Sequence, residues 1–205
     1  MKRLGGKGII VVISAPSGAG KTSVCKKLVE QIPDTVLSIS VTTRAKRPGE
    51  KEGRDYFFVS EKEFKTKIAK QELVEWSKVY GTYYGIPKKF LQDNLNLGNI
   101  VLLTIDVQGQ KKIKKLFPDS TVSVFLLPPS WHALEERLRR RQSDGEETIR
   151  IRLKHAKEEA EQIQYFDYVV VNKVLDHAVN RVRKLILAEQ LTQSSTGLGA
   201  LVHGI

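Results

Sequence analysis

Cysteine is nearly absent: Cys25 is the only one among 205 residues. A single thiol closes no disulfide framework and builds no thiolate metal site within one chain. That fits a reducing compartment, and a cytoplasmic protein is the expectation. Long apolar runs are missing as well, since no segment approaches the roughly 18 apolar residues a membrane span needs. The opening MKRLGGKGIIVVISA resembles a signal peptide in setting basic residues ahead of an apolar run. That run, Ile9–Ile13, is short and leads straight into APSGAGKT, so it reads as a buried first strand. Internal repeats are lacking too. Acidic residues are in deficit: 34 Lys and Arg face 23 Asp and Glu, leaving a net charge of +11. Such an excess suits a polyanionic partner, either nucleic acid or a phosphorylated small molecule. Composition alone does not choose between them.

What is present is an ordinary globular composition, 40% hydrophobic and 28% charged, in a chain long enough for one domain with inserted lobes. Apolar runs GIIVVIS, IVLLTID, TVSVFLL and YVVVN alternate with helical patterns that include KTSVCKKLVEQI, Gln108–Phe117 and Val174–Gln190. Continuous apolar runs of this kind belong to parallel strands covered on both faces. The predicted fold class is therefore α/β, a parallel sheet core with helices on both faces. Two regions interrupt it. Residues 36–88 carry short mixed runs and one helix opened by a Ser60–Glu63 capping box, which predicts an inserted α+β lobe. Residues 129–160 are helical and rich in arginine, with Glu135 and Glu136 spaced to pair with Arg139 and Arg140. Ser143 and Glu146 are placed to cap a second helix there, which has Ile149, Leu153, Ala156, Ala160 and Ile163 along one face. The core is then 1–35, 89–128 and 161–190, and the Gly-, Ser- and Thr-rich tail 191–205 is expected to be loosely ordered.

The stretch APSGAGKT follows the first strand and opens a helix, the context a phosphate loop requires. It matches G-x-x-x-x-G-K-[ST] at Gly20, Lys21 and Thr22, with Ala15 where the first glycine usually stands. Successive backbone N–H groups and the helix N-terminus suit anionic oxygens. The candidate nucleotide-phosphate residues are accordingly Ala15, Pro16, Ser17, Gly18, Ala19, Gly20, Lys21, Thr22 and Ser23, though a phosphate loop alone leaves kinases, GTPases and motor ATPases open. Lys21 adds positive charge, and the Thr22 hydroxyl is a candidate ligand for Mg²⁺. The alternative is a glycine-rich turn with a surface lysine, but motif and context agree on nucleotide binding. Ala15 costs little so long as its φ is negative. Cys25, on the helix that follows, reads as a small core residue with no base beside it in sequence.

A second stretch, SISVTTRAKRPGEKEGRDYFFVS, gathers Arg44, Arg47, Arg54, Tyr56 and several hydroxyls. Guanidinium groups and tyrosine hydroxyls suit a phosphate monoester. Taken alone, this stretch reads more readily as a solvated basic loop. Glu75 lies inside the apolar run of LVEWSKVYGTYYGIP, where a carboxylate needs a partner. Guanine offers adjacent N–H donors that one carboxylate accepts together, whereas adenine would meet it lone pair to lone pair.

With SAPSGAGKT, TTRAKRPGEKEGRDYFFVS, EWSKVYGTYYG, IDVQG and RLRRRQSDGEETIRIRL on the page, the chain resembles the guanylate kinases from about Gly8 to Ala188. The resemblance implies a phosphate-loop kinase with a sheet core, a GMP-binding lobe over 36–88 and a lid over 129–160 that closes on ATP. It implies transfer of the ATP γ-phosphate to GMP or dGMP, with Mg²⁺ and with ATP and GMP as small-molecule partners. Arg44, Arg47, Tyr56 and Tyr84 would hold the GMP phosphate, Glu50 would position the arginines, and Ser40 and Glu75 would read guanine. Asp106 is what remains of the family's DID, here TID, and would stand beside GMP. Arg137, Arg141 and Arg152 match lid arginines that reach the phosphates, and Asn172 matches an asparagine near adenine. Neither a membrane nor a specific nucleic acid is expected as partner, and the protein is expected to be a monomer or small homo-oligomer.

Three positions depart from the family: Thr104 replaces the first Asp of DID, Ile86 stands where Ser or Thr follows YYG, and Lys173 replaces a common Asp. None touches Lys21, Arg44, Arg47 or Glu75, so activity is expected. Rival readings are a kinase for another nucleoside monophosphate and a guanylate-kinase-like phosphopeptide module that has lost catalysis. The intact Lys21 and Thr22 speak against the module. Nucleic-acid binding through the +11 charge lacks an interleaved aromatic and basic motif.

Overall fold

The computed structural model describes residues 8–79, 81–140 and 145–202, with side chains described up to Thr192. Its core is a five-stranded parallel sheet made of β1 (Ile9–Ser14), β2 (Thr35–Leu37), β7 (Ile100–Leu103), β8 (Thr121–Leu127) and β9 (Tyr168–Val171), in the order β2-β7-β1-β8-β9. The first strand lies in the middle, so its backbone is paired on both sides and its side chains are covered on both faces. Ile9, Val11 and Ile13 pack with Val24 and Leu28 of α1 (Lys21–Gln31) and with Ala178, Val182 and Ile186 of α7 (Leu175–Val202). Ile10 and Val12 face the other way, toward Leu91 of α3 (Lys88–Asn96) and Ile113 of α4 (Val107–Leu116). This three-layer arrangement explains why the strand reads as an unbroken apolar run.

A second sheet, ordered β4-β3-β6-β5, forms the inserted lobe from β3 (Val41–Thr42), β4 (Phe57–Phe58), β5 (Leu73–Val79) and β6 (Thr82–Pro87). The lobe helix α2 (Glu61–Ala69) has the predicted capping box: Ser60 Oγ accepts from Glu63 N at 3.2 Å, and Glu63 Oε2 accepts from Ser60 N at 2.7 Å. The arginine-rich region folds as α5 (Trp131–Arg139) and α6 (Glu146–Ala160), which share a small core of Leu134, Leu138, Ile149, Leu153 and Ala156. Arg139 ties the pair together by bonding Glu135 at 2.8 Å and also Glu146.

The fold differs from the sequence reading in four places. The core extends to Leu37, because Val36 pairs with Val101 in the main sheet, and the stretch 36–43, expected within the lobe, is divided between two sheets. The final helix continues to Val202, so most of the tail expected to be loose is helical; no proline interrupts 191–202, and a helix docked along the core propagates more easily than it starts. Helix α3 was missed because its N-cap is Pro87, with no side-chain cap to announce it. Helix α6 has Gly145 at its N-cap, and Ser143, expected to cap it, lies outside the described residues, as does Arg141.

Candidate functional site

The loop from Ala15 to Gly20 joins β1 to α1 across the C-terminal edge of the main sheet. Gly18 and Gly20 have φ of 96° and 98°, the left-handed region that glycine enters without strain. Among the described non-glycine residues only Asp34 and Gln71 have positive φ, so Ala15 is an unstrained substitution. Helix α1 begins with no side-chain cap and no acidic residue in its first turn. Its first N–H groups are thus available to an outside anion, and the helix dipole favours one. Thr22 and Ser23 lie exposed on that first turn.

Pro16 stands in this loop without a donor to offer. A proline has no backbone N–H, and Pro16 is buried, with its carbonyl accepting from Ala19 N at 3.0 Å. That bond closes a turn around Ser17 and Gly18, and it also engages the Ala19 N–H. Pro16 therefore shapes the loop and does not itself donate to an anion.

Neighbouring elements brace the loop. Asn172, just beyond β9 and only 5% exposed, donates from Nδ2 to the Ala19 carbonyl at 2.7 Å. A Cβ on Gly20 would collide with that same amide. Arg137 on α5 donates to the Asn172 carbonyl at 3.1 Å, and Arg152 on α6 donates to Ser17 Oγ at 3.2 Å. A Cβ on Gly18 would come within 3.0 Å of Leu134 and 3.1 Å of Leu138. Arg137 and Arg152 therefore already touch the loop or its brace. Asn172, matched to an asparagine near adenine, has its amide engaged beneath the loop.

Lys21 opens α1 amid opposing influences. Burial lowers its pKa, while Glu159 of α6, Cys25 and Asp106 act in the opposite direction. Burial pushes Glu159 up to about 7, against the pull of Lys21. Cys25 is fully buried, its thiol pushed up to about 12 by burial, which agrees with a core role.

The second cluster is built on the lobe sheet. Arg44 donates to Glu50 Oε1 at 2.6 Å, and the Arg47 backbone N–H donates to Glu50 Oε2 at 2.8 Å. Burial alone would raise the Glu50 pKa, but these bonds hold it below the usual carboxylate value. The Arg44 guanidinium lies 5.3 Å from the Tyr56 ring centre, and Tyr56 meets Tyr84 edge-on at 6.0 Å. Tyr84 is held opposite Thr42 and Ser77 by strand register. Arg44, Arg47, Glu50, Tyr56 and Tyr84 thus converge as a basic, hydroxyl-bearing surface. Ser40, 8% exposed, precedes β3 in the same lobe.

Glu75 reaches its place through a bulge. Leu73 pairs with Pro87 but Glu75 pairs with Ile86, leaving Val74 as the extra residue. Val74 packs against the cluster that contains Ile86, so both Val74 and Glu75 turn to that side. Glu75 is 4% exposed, and burial pushes it up to about 7, opposed by Lys112. Asp106 caps α4 by accepting from Gly109 N at 2.7 Å, and Ser77 Oγ donates to it at 3.4 Å. Its charge influences both Lys21 and Glu75, which sets it between the two clusters.

Among the departures, Ile86 is 1% exposed in the core cluster and gives Glu75 an apolar neighbour. Sequence reasoning missed Ser77, Glu159 and Lys112. Only Glu159 and Lys112 carried a charge to notice, and both lie in charged helical runs that look solvated. No group of three or more His, Cys, Asp or Glu among the described residues could hold a metal; the candidate ligand from the sequence is the Thr22 hydroxyl, exposed on the first turn of α1. That donor set fits Mg²⁺ carried largely by phosphate oxygens, since this ion keeps several waters and few protein ligands in phosphate sites.

A family described as guanylate kinase matches residues 7–189 of the chain. The guanylate kinase of Caldanaerobacter subterraneus subsp. tengcongensis is 48% identical, across 90% of this chain and 89% of that protein. The Rhizobium meliloti guanylate kinase is 42% identical, across 97% and 91%. The crystal structure of guanylate kinase from Anaplasma phagocytophilum superposes with a TM-score of 0.79 at 39% identity, covering 92% of this chain and 89% of that one.

Proposed function

The chain belongs to the guanylate kinase family, and from that premise we propose how its two clusters divide the work of moving the ATP γ-phosphate to GMP. The loop from Ala15 to Ser23 holds the ATP phosphates, with Pro16 shaping its first turn, Lys21 on the β- and γ-phosphates and Asn172 bracing it on the adenine side. The GMP phosphate sits among Arg44, Arg47, Tyr56 and Tyr84, with Glu50 fixing Arg44 and the Arg47 backbone. Ser40 and Glu75 read the guanine edge, and Asp106 stands between the nucleotides. Glu75 carries the assignment of the acceptor: a carboxylate buried in an apolar setting favours a base presenting two adjacent donors and disfavours one presenting an acceptor.

A GMP phosphate oxygen attacks the γ-phosphorus in line, and the bond to the bridging oxygen breaks, leaving ADP and GDP. Catalysis comes from alignment and from neutralisation of charge by Lys21, Arg137, Arg141 and Arg152. Thr22 would hold Mg²⁺, which supplies further charge neutralisation when bound with ATP. The unit 129–160 acts as a lid that excludes water as a competing acceptor. No described helix is long and apolar enough to cross a membrane, and a cytoplasmic monomer or small homo-oligomer completes this reading.

The test is ADP formation from ATP with GMP, dGMP, AMP, CMP and UMP compared, with and without Mg²⁺. Fast, Mg²⁺-dependent turnover with GMP or dGMP alone is the expected result. Equal turnover with AMP would remove Glu75 from its role.

A further inference from the structure

The surroundings of Glu75 include one cation that the family resemblance did not assign. Directly opposite Glu75 on β6 stands Ile86, which is apolar and buried. On the α4 side a Cβ at Gly109 would lie 3.3 Å from Glu75 Oε2, so the carboxylate rests on the first turn of that helix. One turn further along α4, the Lys112 ammonium lies 3.3 Å from Glu75 Oε1 and 2.5 Å from the Trp76 carbonyl oxygen. It also lies 5.5 Å from the Trp76 ring centre. Lys112 thus bridges the helix to two successive residues of β5, with its own side chain 51% exposed.

We propose that Lys112 is a positioning residue for guanine recognition, holding the Glu75 carboxylate ionised and oriented toward the base. The inference rests on the lobe being the GMP site. A protonated Glu75 would present an O–H to guanine's N–H donors, so recognition requires the charged form. Burial beside Ile86 opposes that form, and Asp106 at the α4 N-cap opposes it further. Lys112 is the cation that works the other way. Helix α3 also packs on β5, but its Lys89 is paired with Asp93. The bond to Lys112 occupies one lone pair of Oε1 and leaves acceptor capacity on both oxygens. A plain reading is a surface lysine in the run KKIKK that only anchors β5. Such an anchor would affect stability without setting the ionisation of Glu75.

Steady-state kinetics across about pH 5.5 to 9 would compare wild type, Lys112→Met and Lys112→Arg, varying GMP and ATP separately. At pH 7 Lys112→Met is expected to raise KM for GMP about tenfold, with kcat and KM for ATP within about twofold of wild type. Loss of a positive neighbour raises a carboxyl pKa, so the acidic limb of the KM profile for GMP should move to higher pH. Lys112→Arg should restore both values. The GMP phosphate also titrates near pH 6, but equally in all three proteins, so it drops out of the comparison. A Lys112→Met enzyme with wild-type KM and limb overturns the proposal. So does a raised KM with an unmoved limb, or failure of Lys112→Arg to rescue. Wild type that leaves GMP unphosphorylated would overturn the site assignment itself, a result visible before any variant is made.

Discussion

Between β1 and α1, the groups proposed to meet the donor are mainly backbone N–H groups, shaped by Pro16, Gly18 and Gly20 and by the uncapped start of α1. In the lobe of β3–β6 the groups proposed to meet the acceptor are side chains, held by partners such as Glu50 for Arg44 and Lys112 for Glu75. A backbone cradle depends on dihedral angles and tolerates a side-chain change that leaves them intact, as Ala15 does. A side-chain site depends on the charge and placement of each member, so single substitutions there should alter which acceptor is taken. On the proposed division the donor loop recognises phosphate, which every nucleotide carries, and the lobe supplies the discrimination.

The largest effect should come from the charged side chain proposed to meet the transferred phosphate. Lys21→Ala should lower kcat by roughly 10²–10³-fold, comparable to removing one preorganised donor from a charged transition state. KM for GMP should stay near wild type, and a parallel loss in both would blur the division between the clusters. Arg44→Ala should do the reverse, raising KM for GMP by roughly 10–100-fold with a smaller effect on KM for ATP, since a charge-assisted phosphate contact is lost. Gly20→Ala tests the backbone character of the cradle through stability. Its φ of 98° costs a residue bearing a Cβ about 1–2 kcal/mol, and the new methyl collides with Asn172. Thermal melting should fall by roughly 2–8 °C, with the lobe's guanine preference unchanged among the molecules that remain folded.

The same contrast governs what could be read from the sequence. The cradle was legible because strand, glycines, lysine and helix are consecutive, and local physics fixes their geometry. The Ser60 capping box was legible for the same local reason. Lys112 was not, because its partner lies 37 positions away and its neighbours in KKIKK carry the same charge. The bulge that turns Glu75 inward was hidden as well, since it arises from how β5 pairs with β6 and not from any turn residue. The boundary at Leu37 was misplaced because strand propensity does not reveal which of two sheets a short run will join. Helix α3 lacked a cap residue to mark its start. The final helix ran past its expected end because a helix already anchored at Ala178, Val182 and Ile186 extends at little cost where no proline intervenes.

On the proposed reading a carboxylate in the lobe chooses the acceptor, independently of the donor loop. Glu75→Gln keeps the shape of that side chain and removes its charge, and KM for GMP and for ATP can be measured on the same protein at pH 8, where the wild-type carboxyl is mostly ionised given its value of about 7. KM for GMP should then rise by roughly 10–100-fold, as expected when a base donor loses its buried acceptor, while KM for ATP stays within about twofold. An unchanged KM for GMP, or an equal rise in both, would contradict it.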